Sequence, residues 1–223
     1  MPDTVGIEPP AGRLSRVALP TGETTRGGGP AKTRSDAQRS IAMLIDAVGG
    51  LLESGRLGFS VPELAGAAGV GVATAYRHFP TPLDAMQAFH RRAIEQLVAA
   101  LGAIDPAAEP TARFHDFCRV WVAEAMRWGP AVRHIRSNKG FIERLDAGDE
   151  SITALHDILA DVLGSLVAQD EAASFEATYA VLLWITVFDE RVIYDLTVCR
   201  GWSPERVTDR LTAAVAGALG LPV

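Results

Sequence analysis

The sequence has little cysteine and no long apolar segment. Two cysteines occur in 223 residues, Cys118 and Cys199, and neither lies in the CxxC spacing that is typical of zinc and redox sites. We therefore expect two reduced thiols and no disulfide framework. The longest apolar stretch, residues 179–188, has nine apolar residues in ten, which is about half the length of a membrane-spanning helix. Because residues 1–30 also lack the apolar run of a secretory signal, we expect a cytoplasmic protein without a membrane partner.

Motifs of common enzymes are also missing. The sequence contains no Ser-His-Asp order, no P-loop and no GxGxxG segment that follows a strand. His115 and Cys118 lie three residues apart at helical spacing, but no third or fourth metal ligand can be identified. The sequence therefore predicts neither an enzyme nor a bound metal or cofactor.

Charge is distributed unevenly along the chain. The net charge is −6, which by itself argues against a nucleic-acid partner. Residues 31–92, however, carry seven basic and five acidic residues, whereas residues 93–223 carry 11 basic and 19 acidic residues. A mildly basic unit is therefore joined to an acidic one.

Hydrophobic periodicity divides the chain into a tail and a series of helices. Residues 1–30 hold six Gly and five Pro with no apolar period, so we expect a disordered tail. After it, apolar residues recur at helical spacing and no strand pattern occurs. The predicted fold is all-α, with a three-helix unit over residues 31–80 and a larger helical unit over residues 81–223. The predicted helices cover approximately residues 34–54, 60–68, 71–79, 81–101, 111–128, 131–137, 155–166, 171–199 and 204–219.

Two of the predicted helices are short and are separated by a turn that contains glycine. Ser60, Pro62 and Glu63 form a capping-box pattern, and Gly69 is typical of a left-handed residue that ends a helix. This spacing indicates a helix-turn-helix, in which the start of the second helix enters the major groove of DNA. The candidate base contacts are Gly71, Val72, Ala73 and Thr74, and the candidate phosphate contacts are Tyr76, Arg77, His78, the start of the Ser60 helix, and Lys32 and Arg34 on the N-terminal arm.

The stretch Ser60–Pro80 resembles the DNA-binding signature of the TetR family of bacterial transcriptional regulators. The resemblance is carried by Leu64-Ala65, Ala68-Gly69-Val70, Thr74 and Tyr76-Arg77-His78-Phe79-Pro80, and it covers roughly residues 34–100. It implies a dimeric repressor that binds a double-stranded, pseudo-palindromic operator and is released by a small-molecule effector. The sequence departs from the family pattern at Ala75, where a leucine is common, and at Pro82, where a Lys or Arg commonly begins the next helix.

Aromatic side chains recur along one face of the predicted helix 111–128. Such a stripe can line an apolar cavity, which would need about 300 Å³ to hold a ligand, or it can pack as ordinary core. Under the first interpretation, a largely apolar effector binds among residues 82–168 and lowers operator affinity. The candidate lining residues are Phe114, Phe117, Cys118, Trp121 and Trp128, with His115, His134 and Arg136 as candidate polar contacts.

The predicted helix 171–199 is apolar nearly all round in its middle, so more than one of its faces must be covered. A twofold homodimer built from this helix and the helix 204–219 would cover it. The same dimer would place two recognition helices about 34–36 Å apart, on successive major grooves. The candidate interface residues are Tyr179, Trp184 and Phe188.

Two other classes of function remain open at this point. Pro82 and the apolar tip Gly71-Val72-Ala73 also fit an interaction module of the same fold that has lost operator binding. An enzyme that uses a helical cavity would employ His115 or Asp189. Charges inside an apolar helix more often mark an ion pair than a catalytic group, so the enzyme is the weaker alternative.

Overall fold

The computed structural model describes residues 30–135, 139–167 and 176–221, with side chains from residue 35. Every regular element in these ranges is a helix, which confirms the predicted all-α fold. None of these helices is both long enough and apolar enough to cross a membrane. The predicted disordered tail lies outside the described residues except for Pro30. The helices are α1 (Pro30–Glu53), α2 (Val61–Ala68), α3 (Val72–His78), α4 (Pro82–Gly102), α5 (Pro110–Val132), α6 (Phe141–Asp146), α7 (Glu150–Val167), α8 (Ala177–Val187), α9 (Glu190–Tyr194) and α10 (Pro204–Leu219).

Helices α2 and α3 form where the local signals are strongest. The Ser60 side chain accepts a hydrogen bond from the N–H of Glu63, and the Glu63 carboxylate accepts one from the N–H of Ser60 at 2.8 Å. This reciprocal pair is the predicted capping box, and it begins α2 at the expected residue. Gly69 ends α2 with a φ of 65°, a left-handed conformation that glycine adopts without strain.

Helix α5 continues past its predicted end. Glu109 caps it, rather than Thr111, and the helix passes through Gly129 and Pro130 to Val132, so the predicted separate helix 131–137 is wrong. A proline inside a helix removes one backbone hydrogen bond. Tertiary packing compensates, because Gly129 lies against Glu190 of α9 and the next residue after Pro130 is completely buried.

The predicted helix 171–199 is interrupted. Helix α8 ends at Val187, and the Asp189 carboxylate accepts from the N–H of Arg191 at 2.8 Å and so caps α9. A π-helical turn, Asp195–Cys199, continues α9. The charged sequence Asp189-Glu190-Arg191 therefore lies at the start of a helix, not inside one. Arg191 also forms an ion pair with Asp189 at 2.7 Å.

Buried side chains form two cores that share α4 and α5. The N-terminal core joins α1, α2 and α3, and it includes Phe89 of α4 and Ala131 of α5. The C-terminal core joins α4, α5, α7, α8, α9 and α10. In terms of packing, the N-terminal unit thus extends beyond residue 80, because three buried residues from the long helices, Ala85, Phe89 and Ala131, complete its interior.

Candidate DNA-binding surface and ligand cavity

Helix α3 presents an exposed face to solvent. Val72 is 45% exposed and Tyr76 is 48% exposed, and Ala73 and Arg77 are exposed beside them. Ala75 points the other way and is completely buried. Most of the residues predicted to contact DNA therefore share one accessible surface, with Thr74 and His78 half-buried at its margins.

The orientation of α3 is fixed by buried contacts with α2. Leu64 and Ala65 of α2 are completely buried, and the N–H of Val70 in the turn donates to the carbonyl of Ala65 at 3.0 Å. Phe79 closes the other end of α3 and is also buried. The exposed face of α3 is thus presented by a well-packed frame, which is what a recognition helix requires.

A hydrogen bond organises the polar part of this surface. The Arg77 guanidinium donates from Nη2 to Thr74 Oγ1 at 3.1 Å, on the exposed side of α3. The Thr74 hydroxyl keeps its own hydrogen for donation to another group. Gly71, the N-cap of α3, makes no side-chain cap and leaves the tip of the helix uncovered. A base edge and a phosphate can therefore approach Thr74 and Arg77 together.

The start of α2 is a poor phosphate site, contrary to the prediction for Ser60. Both the N–H and the hydroxyl of Ser60 donate to the Glu63 carboxylate, each at 2.8 Å. These two hydrogen bonds lower the pKa of Glu63 below its usual value, and Arg56 pairs with the same carboxylate at 2.8 Å. A negative charge already occupies the position that a phosphate would need.

The cations expected on the N-terminal arm are placed differently from the prediction. Lys32 and Arg34 belong to α1, which begins at Pro30, rather than to an extended arm, and their side chains lie outside the described part of the chain. At the start of α4, Thr81 and Asp84 form a second capping box, with Pro82 in the first turn. The position at which the family commonly has a cation therefore serves only to begin the helix.

A cavity of about 260 Å³ lies between α4, α5, α6, α7 and α8, just below the size expected from the sequence. Trp121 and Trp128 line it, as predicted for a ligand site. A hydrogen bond fixes the orientation of the Trp121 side chain, because its Nε1 donates to the backbone carbonyl of Phe188 at 2.9 Å. The lining is mostly apolar, and a few charged groups and one histidine lie among the apolar side chains.

Most of the other predicted lining residues do not reach the cavity. Phe114, Phe117 and Cys118 are buried in the C-terminal core, where Phe114 packs edge-on against Trp184 at 5.2 Å between ring centroids. His115 is exposed and contacts Asp209 of α10 at 3.3 Å. These four assignments are wrong, because Phe114, Phe117 and Cys118 face the interior of the bundle and His115 faces solvent. His134 also lies away from the cavity, and Arg136 falls outside the described residues.

Trp128 connects the cavity to the N-terminal core. Its indole Nε1 donates to the Glu124 carboxylate at 3.1 Å, and its ring packs edge-on against Phe89 at 5.7 Å between centroids. Phe89 in turn fills the space above Gly49 of α1, where an added Cβ would lie only 2.8 Å from the ring. Two successive contacts, from Trp128 to Phe89 and from Phe89 to Gly49, thus lead from the cavity wall to α1.

Two of the three predicted interface residues are part of the chain's own core. Trp184 is 0% exposed and Phe188 is 1% exposed, and their rings stack at 5.2 Å. The prediction that they face a partner is wrong, since both rings pack against Trp121 of α5 inside the C-terminal core. Tyr179 is 57% exposed. It shares the outer face of α8 with the half-buried Leu182 and Leu183 and the exposed Thr186.

The sequence reasoning also missed residues that line the cavity. His90 of α4, Phe141 and Arg144 of α6, and Phe188 all contribute to its wall. His90 follows Met86 and precedes Ile94 at helical spacing, which was the one available signal that it faces inward. No pattern in the sequence indicated α6, because a helix of 6 residues is shorter than two turns and shows no apolar period.

Comparisons with known proteins identify the fold. No family model matches the chain, and no curated protein matches it significantly. Solved structures do match: a transcriptional regulator from Rhodococcus sp. RHA1 (20% identity, 84% of this chain and 98% of that chain, TM-score 0.59), the fatty acid degradation regulator FadR from Bacillus halodurans (14%, 82% and 97%, 0.65), and the TetR-like regulator LfrR from Mycobacterium smegmatis in complex with proflavine (19%, 81% and 96%, 0.56). The chain therefore has the fold of the TetR-like regulators.

Proposed function

We propose that the chain is a ligand-responsive transcriptional regulator that binds a pseudo-palindromic operator as a homodimer and acts as a repressor. The observation that carries the proposal is the exposed face of α3 on a fully buried frame. Val72 and Ala73 offer apolar contact to thymine methyl groups, and Thr74 offers a hydroxyl to a base edge. Tyr76 and Arg77 are positioned for phosphate oxygens. A fold shared with solved regulators supports this function over an enzyme.

Dimerisation is proposed through the outer faces of α8 and α10. On α8, Tyr179, Leu182, Leu183 and Thr186 recur at helical spacing and turn away from the core. Helix α10 contacts α8, and its second half carries small exposed residues that allow another helix to approach closely: Ala213, Ala214, Gly217 and Ala218. A twofold axis beside these helices pairs two copies of α3 for successive major grooves.

The proposed response to ligand follows from the shared helices. A molecule in the cavity contacts Trp128, and Trp128 packs on Phe89, which has no spare room above Gly49. A ligand that prefers one arrangement of α4 and α5 therefore changes the position of α1 and of the recognition helix. The coupling is limited by the difference in affinity for the two arrangements, typically about 1–3 kcal/mol.

The test is a gel-shift screen of the purified protein against the DNA that flanks its own gene, at fixed salt. We expect Tyr76→Phe to weaken binding to all bound sequences similarly, and Thr74→Ala to change the preference among them. Arg119→Gln is the control, because Arg119 is an exposed cation on α5 that pairs with Asp116. Unchanged binding in both α3 variants would refute the assigned surface. Absence of any binding would favour the interaction module.

A further inference from the structure

One neutral side chain in the cavity wall has unused polar atoms. His90 lines the cavity and has no hydrogen-bond partner among the described residues. Burial, and secondly the positive charge of Arg144, lower the pKa of His90 to about 4, although Asp149 acts in the opposite direction. The imidazole is therefore neutral near pH 7, with one nitrogen that donates and one that accepts.

The two indole N–H groups beside His90 are already used. Trp121 donates to the carbonyl of Phe188 at 2.9 Å, and Trp128 donates to Glu124 at 3.1 Å. A ligand can therefore contact these rings through their apolar surfaces but receives no hydrogen bond from them. Among the aromatic groups that the structure describes in the wall, His90 alone keeps its hydrogen-bonding capacity.

The charged groups of the wall are balanced by partners of opposite sign. Arg144 donates from both Nε and Nη2 to one oxygen of Asp149, at 3.1 and 3.0 Å, and Lys139 lies 3.9 Å from Glu143. A charged ligand would have to lose its hydration without meeting an uncompensated counter-charge, which is unfavourable. The remaining charged groups of the wall are Glu124, beside Arg127, and Glu190, beside Arg191.

Four aromatic rings surround the remaining space. Two of them, Trp121 and Trp128, belong to α5, Phe141 belongs to α6, and Phe188 is the residue that follows α8. Aromatic rings pack favourably edge-on or offset against one another. A cavity of about 260 Å³ with this lining suits a flat ring system better than a long flexible chain.

We propose that the cavity binds an uncharged aromatic molecule whose hydroxyl or carbonyl group forms a hydrogen bond with His90. This proposal rests on the proposed function, since it specifies the effector of the same cavity. A hydroxyl donates to the bare ring nitrogen, and a carbonyl accepts from the ring N–H. Contact with the aromatic body of the ligand gives most of the affinity, and the hydrogen bond with His90 gives specificity for a ligand with a suitable polar group.

The test uses four naphthyl probes with one apolar body: naphthalene, 2-naphthalenemethanol, 2-naphthoate and 2-naphthylmethylammonium. Binding to the full-length protein is measured by isothermal titration calorimetry at pH 7.5. A net hydrogen bond of ordinary strength corresponds to about a fivefold gain, so we expect the alcohol to bind about fivefold more tightly than naphthalene. Both charged probes should bind more weakly than the alcohol. Tightest binding of the carboxylate or the ammonium probe would overturn the proposal.

Variants of His90 test the named contact. His90→Leu should bring the alcohol to the affinity of naphthalene and leave naphthalene within about twofold of its original affinity. His115→Leu is the matched control, because His115 is exposed outside the cavity. If His90→Leu does not fold, as judged by circular dichroism, His90→Phe replaces it. Retention of the alcohol preference in a folded variant would refute the role of His90.

The same probes separate this proposal from the proposed function. If the alcohol binds through His90 but leaves operator affinity unchanged, the ligand class stands and the regulatory function fails. If naphthalene and the alcohol release the operator equally, the function stands and the ligand class fails. If no naphthyl probe binds, the ligand class fails, and the gel-shift screen decides the proposed function independently.

Discussion

Substituting glutamate at two neighbouring positions of α8 distinguishes its buried face from its proposed interface. Trp184 is completely buried and packs against Phe114, Trp121 and Phe188. Leu183 is half-buried and lies outside the C-terminal core. We expect Trp184→Glu to unfold the protein and Leu183→Glu to give a folded monomer.

The expected magnitudes differ because the two side chains have different surroundings. Removal of a buried tryptophan destabilises a protein by about 3–5 kcal/mol. A buried carboxylate without a partner would destabilise the folded state by several kcal/mol more, unless it took up a proton. The total is comparable to the roughly 5–15 kcal/mol that stabilises a typical domain. At Leu183 the substitution should change the free energy of unfolding of a single chain by no more than about 1 kcal/mol, as at most surface positions. Its main effect should therefore be on association between two chains.

The assay combines light scattering after size exclusion with thermal denaturation followed by circular dichroism. Leu183→Gln is the uncharged control and should dissociate less readily than Leu183→Glu. A folded, monomeric Trp184→Glu variant would refute the reasoning, because it would place Trp184 at the interface, as the sequence pattern predicts. A wild-type protein that is monomeric at micromolar concentration would exclude the proposed interface.

Three further predictions concern the turn, the DNA surface and the thiols. Gly69→Ala should destabilise the protein by about 1–2 kcal/mol, because φ is 65° at this position. Gly66→Ala should stabilise it by up to about 1 kcal/mol, because Gly66 lies within α2 with open space around it. Melting temperatures that shift in the same direction for both variants would contradict this. Operator affinity should fall steeply with salt, and Arg77→Gln should reduce the salt slope by about 1, as measured by fluorescence anisotropy; an unchanged slope would exclude a phosphate contact. The exposed Cys199 should react with a thiol reagent at pH 8 in the native protein. Burial raises the pKa of Cys118 to about 12, so Cys118 should react only after denaturation. Two reactive thiols in the native protein would contradict the buried position of Cys118.

Local signals predicted the parts of the fold that depend on a few neighbouring residues. The capping box at Ser60, the left-handed Gly69 and the bounds of α10 agree with the structure, and α10 has a Ser203 cap and a left-handed Gly220 at its ends. Each of these signals acts within one helical turn, so no tertiary information is needed. The break at Asp189 shows the opposite case, because the same residue type also fits a buried ion pair.

The direction in which a side chain points was harder to predict. The middle of α8 is apolar on every side, so the sequence does not show which face turns inward, and Trp184 was assigned to the wrong one. On α5 the stripe is real, but Phe114 and Phe117 face the core while Trp128 faces the cavity and the N-terminal core. A cavity is bounded by several helices, and the periodicity of one helix cannot reveal it.

The contact between the two cores is the least visible feature in the sequence. The ring of Phe89 is held between Gly49 and Trp128. Each of these two residues is about forty positions from Phe89 in the sequence, and all three lie on different helices. A glycine in the middle of a helix is unfavourable by about 1 kcal/mol relative to alanine, and Gly49 is retained at a place where any Cβ would lie within 3 Å of the ring. The close approach explains the glycine: a larger residue would displace Phe89, and Phe89 would displace Trp128 at the cavity wall. The same contacts join Trp128 to α1, and they are the physical basis on which we propose communication between the cavity and the exposed face of α3.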